Sequence, residues 1–564
     1  MGTQSSSSEG FADGGHIDPE LVPYLQAADS PEEGLGDQDV EDLERQAQAD
    51  EKDLEDLRNL VQTHILGTGD LDSQLFDDLS SPEVREEDLD VDSPVSVAQE
   101  AMAYTQAMIH DVERSELEDA FNSVYSKILE RVPEHQIDPT LFRVEQALDI
   151  LGNPQTLFDT VHVTGTNGKT STARMVERLL LELGYSTGRF TSPHLSDPCE
   201  RLVFNAQQIT HQGFVDAWND VAPYIEMADE ISFRAGGPRL SFFEIFTVMA
   251  FAAFADAPVD AAVVEVGMGG RWDATNVVRS SVQIITPISR EHEKWLGTGI
   301  EAIATEKAGI IKEAGTVVVA KQPLEALEVI ARAAQEANAK LIREGEDFEI
   351  LRRQKAVGGQ VITLRTPQAI YEDIFVPLHG EYQAQNAACA LVAVEAYVGD
   401  KALNGASVET AFAGVTSPGR LEVVRNSPMI VADATHNPGG AAVLREALED
   451  AFEWHRTIGL FAVMRDKDVE GILGEMEPVL DELIVTSMNT DRAMPPEEAA
   501  RIAEEVFGEG RVHCEPNLLS ALDLASGLAE EAEEIPGTTG VIAFGSVFLS
   551  GEVREMCKGS RSLQ

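Results

Sequence analysis

Apolar positions are sparse over the first hundred residues and then settle into a regular alternation. From Met1 to about Asp111, acidic, serine and glycine clusters are interrupted only by short apolar stretches. A segment of that composition buries too little apolar surface to offset the entropy of ordering, so disorder is expected, with one helical pattern at "VEDLERQAQADEKDLEDLRNLVQTHIL". The pattern changes at Ser115. Leu117, Phe121, Val124, Tyr125, Ile128 and Leu129 recur at helical spacing, and folded structure is expected to begin there.

Beyond that helix, short β-branched runs alternate with helical patterns. "TVHVTGT" reads as a strand followed by a helix to Leu183, and "AAVVEVGMGG", "VQIITPIS" and "GTVVVAK" read as further strands. "MIVADATHNPGG", "RTIGLFAVM", "ELIVTSM" and "TGVIAFGS" repeat the arrangement later. Strands alternating with helices predict mostly parallel α/β sheets, and two such series predict two domains. Between the series, "GGQVITLRTPQAIYEDIFVPLHGEYQ" alternates as a local antiparallel element does, and "VTSPGRLEVV" reads as a hinge near Thr416 to Gly419. The expected organisation is an acidic N-terminal extension (1–113), an ATP-binding α/β domain (114–417) and a smaller Rossmann-like α/β domain (418–564).

Composition narrows the class. The chain has 564 residues, 43% of them hydrophobic, with no run of eighteen apolar positions, so a membrane span is not expected. The N-terminus lacks the basic and apolar regions of a secretory signal. Cys199, Cys389, Cys514 and Cys557 are far apart and form no C-x-x-C pair, which suits a reducing cytoplasm. The formal net charge of -56 argues against nucleic-acid binding through a basic surface. Residues 1–100 carry 28 Asp+Glu against 4 Lys+Arg, so more than half of the acidic surplus lies beyond the extension.

The first chemical signal is "VHVTGTNGKTST". A glycine-rich turn between a strand and a helix offers backbone N–H groups and the positive end of a helix dipole to an anion. Lys169 adds a charge for phosphates and Thr170 a hydroxyl for Mg²⁺, although Gly165 stands only three positions before Gly168 rather than at the usual phosphate-loop spacing. Glu265 follows a buried strand, with Arg271, Asp273 and Asn276 behind it, and Ser192 and His292 follow two others. Ligands of open α/β sheets sit outside such strand ends, and a carboxylate beside a triphosphate suits Mg²⁺.

"TGTNGKTS", "TSPHL", "EVGMGGRWDATN", "EKAGI", "SPGRLE" and "DATHNP" together resemble, in order and spacing, the folylpolyglutamate synthase/dihydrofolate synthase family of the Mur ligase superfamily. The resemblance spans roughly Ser115 to Ser550, and it makes the shortened loop a feature of that superfamily. It implies ATP held by Asn167, Gly168, Lys169 and Thr170, with Asn386, Arg420 and Asp433 contacting the nucleotide from the hinge and second domain. It implies two Mg²⁺ ions on Ser192, Glu265 and His292, and a carbamylated Lys307 as a carboxylate-like ligand beside them. Lys169, His292 and Lys307 are thus the expected catalytic set. Pterin contacts are implied for Gln136, Ile137 and Asp138, for Ser241, Phe242, Phe243 and Glu244, and for Trp272, Asp273 and Ala274. His436 and Ser546 resemble residues that receive the incoming glutamate.

The implied activity is ATP-dependent ligation of L-glutamate to dihydropteroate, to the glutamate tail of reduced folates, or to both, through an acyl phosphate, by a cytoplasmic monomer. A Mur-type ligase acting on a UDP-sugar is the nearest alternative, but the acidic zone before Ser115 is too polar to supply its substrate domain. A nucleotide-binding scaffold without catalysis is the other, against which stand Lys169, Glu265, His292 and Lys307. One departure from the family pattern is Glu291, which stands where aspartate usually precedes the histidine.

Overall fold

The computed structural model describes residues 112, 114–133, 138–532 and 537–559, so the expected disorder of the extension, Gln136 and Ile137 lie outside the described residues. By its contacts the chain divides into Met1–Glu113 and Arg114–Gln564, and the description that follows is of the second unit.

Seventeen strands form three sheets among the described residues. The first sheet contains β1 (Asp159–Thr164), β2 (Thr187–Phe190), β3 (Leu202–Phe204), β4 (Gln207–Gln208), β5 (Ala261–Glu265), β6 (Ser280–Ile285), β7 (Thr316–Val319) and β8 (Lys340–Arg343). Its spatial order is β4-β3-β2-β5-β1-β6-β7-β8, parallel from β2 to β8, with β3 and β4 as an antiparallel edge. Helices cover both faces, and for that reason the central strands read as nearly continuous apolar runs.

On one face pack α3 (Lys169–Glu182), α7 (Glu381–Tyr397) and α8 (Gly405–Ala413), meeting Val161, Val163, Ala261 and Val263. On the other pack α1 (114–129), α2 (Phe142–Ile150), α4 (His211–Arg234) and α5 (Phe242–Asp256), meeting Ala262 and Val264. Each large apolar side chain so buried contributes about 1.5–3 kcal/mol. Helix α7 is apolar nearly all round because a second layer covers its outer side. That layer is the antiparallel sheet β11-β10-β9, made of β9 (Glu349–Ala356), β10 (Gly359–Arg365) and β11 (Ile370–Val376).

The third sheet holds β12 (Glu422–Asn426), β13 (Met429–Ala432), β14 (Arg456–Phe461), β15 (Glu482–Val485), β16 (Val512–Cys514) and β17 (Thr539–Phe544). Its order is β12-β13-β17-β14-β15-β16, parallel apart from β12, with separate apolar cores on its two faces. Helix α9 (Pro438–Ala451) follows β13, and its Asp450 pairs with Arg353 of β9, tying the antiparallel layer to the third sheet. No helix among the described residues is long and apolar enough to cross a membrane.

Candidate active site

The loop between β1 and α3 takes its shape from the neighbouring strand. Thr166 N–H donates to the Pro287 carbonyl at 3.0 Å, while Thr166 Oγ1 donates to Ser289 O and accepts from Ser289 N, both at 3.1 Å. These bonds latch the loop to the exit of β6. Gly165 has φ +146°, and a Cβ there would lie 1.8 Å from Thr286 Oγ1. Gly168 has φ +89°, and a Cβ there would lie 2.5 Å from Asn386 Oδ1. Only glycine fits either position. Helix α3 opens at Lys169, directly behind Gly168, so its free N–H groups face the loop as an anion cradle.

Two lysines meet behind that cradle. Lys169 Nζ donates to the Gly165 and Thr166 carbonyls, both at 3.1 Å, and Lys307 Nζ donates to the Gly165 carbonyl at 2.5 Å. Lys307 stands near the end of α6 (Ile300–Ala308) and is only 3% exposed. Burial, reinforced by the Lys169 charge, pushes its pKa down to about 7.

Glu265, at the end of β5, accepts from Thr170 Oγ1 at 2.9 and 3.0 Å and from Ser192 N–H at 3.3 Å. Burial raises its carboxyl pKa, against the opposing pull of Lys169 and these donors. A buried carboxylate whose direct partners are all neutral fits a bound cation. With the Ser192 hydroxyl and the His292 imidazole on the same cavity, the donor set suits a hard divalent ion such as Mg²⁺. His292 itself has the left-handed φ of +49°, an unusual conformation for a non-glycine residue of the kind that concentrates at functional sites.

Glu291 lies close to two histidines, 3.3 Å from His292 Nε2 and 3.6 Å from His436 Nε2. Burial alone would raise its carboxyl, but the adjacent imidazoles of His292 and His436 and the Lys169 charge hold it well below the usual carboxylate range. The longer side chain at this position therefore spans from the first sheet's loops to the third sheet's.

These groups open into one cavity of about 580 Å³, within the range of small-molecule sites. Its walls carry Asn167, Gly168, Lys169, Thr170, Ser192, Glu265 and His292 from the first sheet's side, Asn386 from α7, and Arg420, Asp433, His436 and Ser546 from the third sheet's side. A polar chain binds these walls: Asn386 Nδ2 donates to Gln383 at 3.1 Å, Gln383 to Ser171 at 3.3 Å, and Ser171 and Ser417 hydroxyls meet at 2.8 Å. Asp433 is occupied by its own loop, accepting from Leu421 N, Thr435 N and Thr435 Oγ1.

At the far end the cavity is lined by Asp138, Ser241, Phe243, Glu244, Trp272, Asp273 and Ala274. Ser241 and Glu244 also form the capping box that starts α5. Two expected site residues lie elsewhere. Phe242 is turned into the core, its ring 5.1 Å from the Arg201 guanidinium, and Lys307 sits behind the phosphate loop rather than on the cavity wall.

Arg143, Lys467 and Arg492 are among the lining residues that sequence reasoning missed. Arg143, 4% exposed, donates to Glu244 at 3.0 and 3.1 Å and to Asp138 at 2.6 Å, so it clamps two acidic positions together. Its signal was an arginine inside the apolar pattern of α2. Lys467 and Arg492 bring positive charge to the lining, and they come from loops that no apolar pattern marks.

Comparison with known proteins agrees with this geometry. Residues 236–394 match the Mur ligase middle domain, and residues 419–546 match the Mur ligase glutamate ligase domain. The chain is 45% identical over 446 residues to the dihydrofolate synthase/folylpolyglutamate synthase of Mycobacterium tuberculosis, covering 76% of this chain and 92% of that protein. It is 34% identical to the Bacillus subtilis protein of the same description, covering 63% of this chain and 83% of that one. Among solved structures, the Mycobacterium tuberculosis folylpolyglutamate synthase complexed with ADP and AMPPCP superposes with a TM-score of 0.75 at 44% identity, covering 78% of this chain and 99% of that one. The Escherichia coli protein in complex with DHPP and ADP superposes with a TM-score of 0.66 at 26% identity, covering 78% and 98%. The chain belongs to the dihydrofolate synthase/folylpolyglutamate synthase family of the Mur ligase superfamily.

Proposed function

We propose that this protein is an ATP-dependent acid–amino-acid ligase that adds L-glutamate to dihydropteroate and to the glutamate tail of reduced folates. The observation that carries the reading is a single cavity running from the Gly165–Thr170 loop, past Glu265 and His292, to Asp138, Glu244 and Trp272 at one end and to His436 and Ser546 of the third sheet. A ligase needs nucleotide, acceptor and amine in one enclosure, and the relatives with bound nucleotide and DHPP support that use of the space.

A carboxylate does not condense with an amine in water because hydroxide is a poor leaving group. ATP supplies a better one. An acceptor carboxylate oxygen attacks the γ-phosphorus, the bond to the bridging oxygen breaks, and ADP leaves, producing an acyl phosphate. The α-amine of glutamate then attacks the acyl carbon, loses a proton, and expels inorganic phosphate as the amide forms. The protein's contribution is positioning and charge neutralisation.

In this scheme the loop N–H groups and Lys169 hold the phosphates, while Asn386, Arg420 and Asp433 bound the nucleotide side. Ser192, Glu265 and His292 would hold Mg²⁺, two ions in all, with Lys307 as a carbamate; Mg²⁺ supplies charge neutralisation at the transferring phosphoryl group. The neutral amine that buried Lys307 presents near pH 7 is the form that takes up carbon dioxide. His436, Ser546, Lys467 and Arg492 face the incoming glutamate, whose carboxylates need cationic partners. Residues 114–417 then act as the ATP domain and 418–564 as the glutamate domain, closing on each other to keep water from the acyl phosphate. The four cysteines, scattered along the chain, suit the cytoplasm, and the enzyme acts as a monomer.

The test is phosphate release by purified protein with ATP, Mg²⁺ and glutamate. Release is expected only when dihydropteroate or tetrahydrofolate is also present, and absence of turnover with either acceptor would sink the proposal.

A further inference from the structure

Strand β1 carries one residue its apolar pattern does not explain. His162 is fully buried at the centre of the first sheet, beside Val264 of β5 and Gln283 of β6. Its Nε2 lies 2.9 Å from Thr275 Oγ1, whereas Nδ1 has no hydrogen-bond partner among the described residues. Burial of such a ring carries a cost unless the polar contact it makes is used.

The protons along this contact can be assigned. Asp273 accepts from Thr275 N–H at 3.0 Å, from Thr275 Oγ1 at 2.5 Å and from Met268 N–H at 2.9 Å. Burial raises the Asp273 carboxyl against the pull of these donors, and a carboxylate that accepts two backbone N–H groups takes the single Thr275 hydroxyl proton as a third donor. The hydroxyl oxygen is then left to accept, and His162 must donate to it from Nε2. The unpartnered Nδ1 is thereby the nitrogen with the lone pair, the less costly one to leave bare. Burial, aided by the nearby Lys312 charge, pushes the His162 pKa down to about 3, so the ring stays neutral with its one proton on Nε2.

We infer that His162 is a positioning residue for the acceptor site, acting through Thr275 and Asp273 on the loop from Gly267 to Thr275. The inference rests on the proposed acceptor reading of that loop, whose Met268, Trp272 and Ala274 line the cavity. Asp273 gathers the loop's N–H groups, Thr275 fixes Asp273, and His162 fixes Thr275 from inside the sheet. The loop has no slack behind it. A Cβ at Gly270 would lie 2.7 Å from the Glu306 carbonyl and 2.9 Å from that of Lys307, and Arg271 N–H donates to Glu306 O at 2.9 Å. Small displacements of the Asp273 anchor therefore move the wall that the acceptor meets.

The experiment compares His162→Leu, which removes the donor, with His162→Gln, whose amide nitrogen reaches the Nε2 position, and Thr275→Val with Thr275→Ser. In the intact enzyme, the Leu and Val variants are expected to raise the acceptor KM by roughly five- to twenty-fold. Saturated kcat and the ATP KM should stay within about twofold of wild type, and the Gln and Ser variants should recover most of the loss. His162→Leu should add little further loss in the Thr275→Val background. Amide exchange of residues 266–278 is the readout independent of turnover: it should quicken in the Leu and Val variants and return in the rescue variants. Unchanged exchange and unchanged acceptor KM in both Leu and Val variants would overturn the inference. So would a loss spread evenly over kcat and both KM values without rescue. A wild-type enzyme that uses no pterin acceptor refutes the proposed function instead, leaving the exchange result to decide whether His162 sets the loop.

Discussion

The ammonium groups of Lys169 and Lys307 converge on one carbonyl oxygen, that of Gly165, at 3.1 and 2.5 Å. Two cations on one acceptor repel each other, and Lys307, buried at 3% exposure, bears the consequence. Such an arrangement gains little stability from its charge and makes sense if Lys307 carries a modified, anionic head beside the metal-binding groups.

Lys307→Met is therefore expected to cut kcat by roughly 100-fold or more, while in protein stripped of carbon dioxide the melting temperature stays equal or rises, because the unmodified lysine is a buried like charge and methionine keeps the aliphatic stem. Short-chain carboxylic acids should restore part of the activity of Lys307→Ala by standing in for the carbamate. Near-normal turnover of either variant contradicts this role.

Gly168→Ala places a methyl 2.5 Å from Asn386 Oδ1 and forces a left-handed φ of +89° on a residue with a side chain. The strain costs about 1–2 kcal/mol, and the ATP KM is expected to rise by roughly tenfold. Adding Asn386→Ala, which keeps α7 helical, removes the clash but not the φ penalty, so stability should return only in part. Thermal melts and initial-rate kinetics measure both effects.

Arg143→Leu leaves Glu244, itself 5% exposed, without its cation. Breaking a buried pair in this way costs about 3–5 kcal/mol. A second substitution, Glu244→Gln, should recover a large share of that loss, and acceptor KM should remain raised because Asp138 has lost its tether. Urea unfolding of the single and double variants checks the first statement, and acceptor titration the second.

Glu395 offers a pH test away from the site. It accepts from Tyr371 at 2.7 Å and Thr366 at 3.0 Å, while its Oε2 has no hydrogen-bond partner among the described residues. Burial raises its pKa from 4.5 to about 7. Between those values the folded protein keeps a proton that the unfolded chain has released, so this residue's contribution to stability falls as pH rises and is fully lost above about pH 7. Relative to wild type, Glu395→Gln should gain stability on going from about pH 5.5 to pH 8, by at most about 2 kcal/mol. A constant difference in urea midpoints across that range would contradict the assignment.

Most strands of the first and third sheets were legible because covered parallel strands leave unbroken β-branched runs, as at Ala261–Glu265 and Thr539–Phe544. Strand β9 was not, since Glu349–Ala356 is largely exposed and charged and acquires its strand form from pairing with β10. At the site, Gly168, Lys169 and Glu265 announced themselves by position at strand ends. Arg143 and His162 did not, because a single polar residue inside an apolar element reads as noise until its partner, distant in sequence, is known. Phe242 was drawn into the site by its neighbours, although a one-residue step along a helix turns its side chain about 100° away from theirs. Glu291 illustrates the same limit: its approach to His436 spans two sheets and has no local signature.

Deletion of residues 1–110 is expected to leave kcat and both KM values within about twofold of the full chain, because every cavity-lining residue named here follows Val132. A collapse of activity in the truncated protein would assign the extension a part in catalysis.

The most direct test of the ligase account is the fate of the acceptor's carboxylate oxygen. With an acceptor labelled in that carboxylate with heavy oxygen, the account predicts one labelled oxygen in each inorganic phosphate released during glutamate addition. Phosphate without label, alongside amide formation, would show that the carboxylate is never phosphorylated and would contradict the acyl-phosphate mechanism.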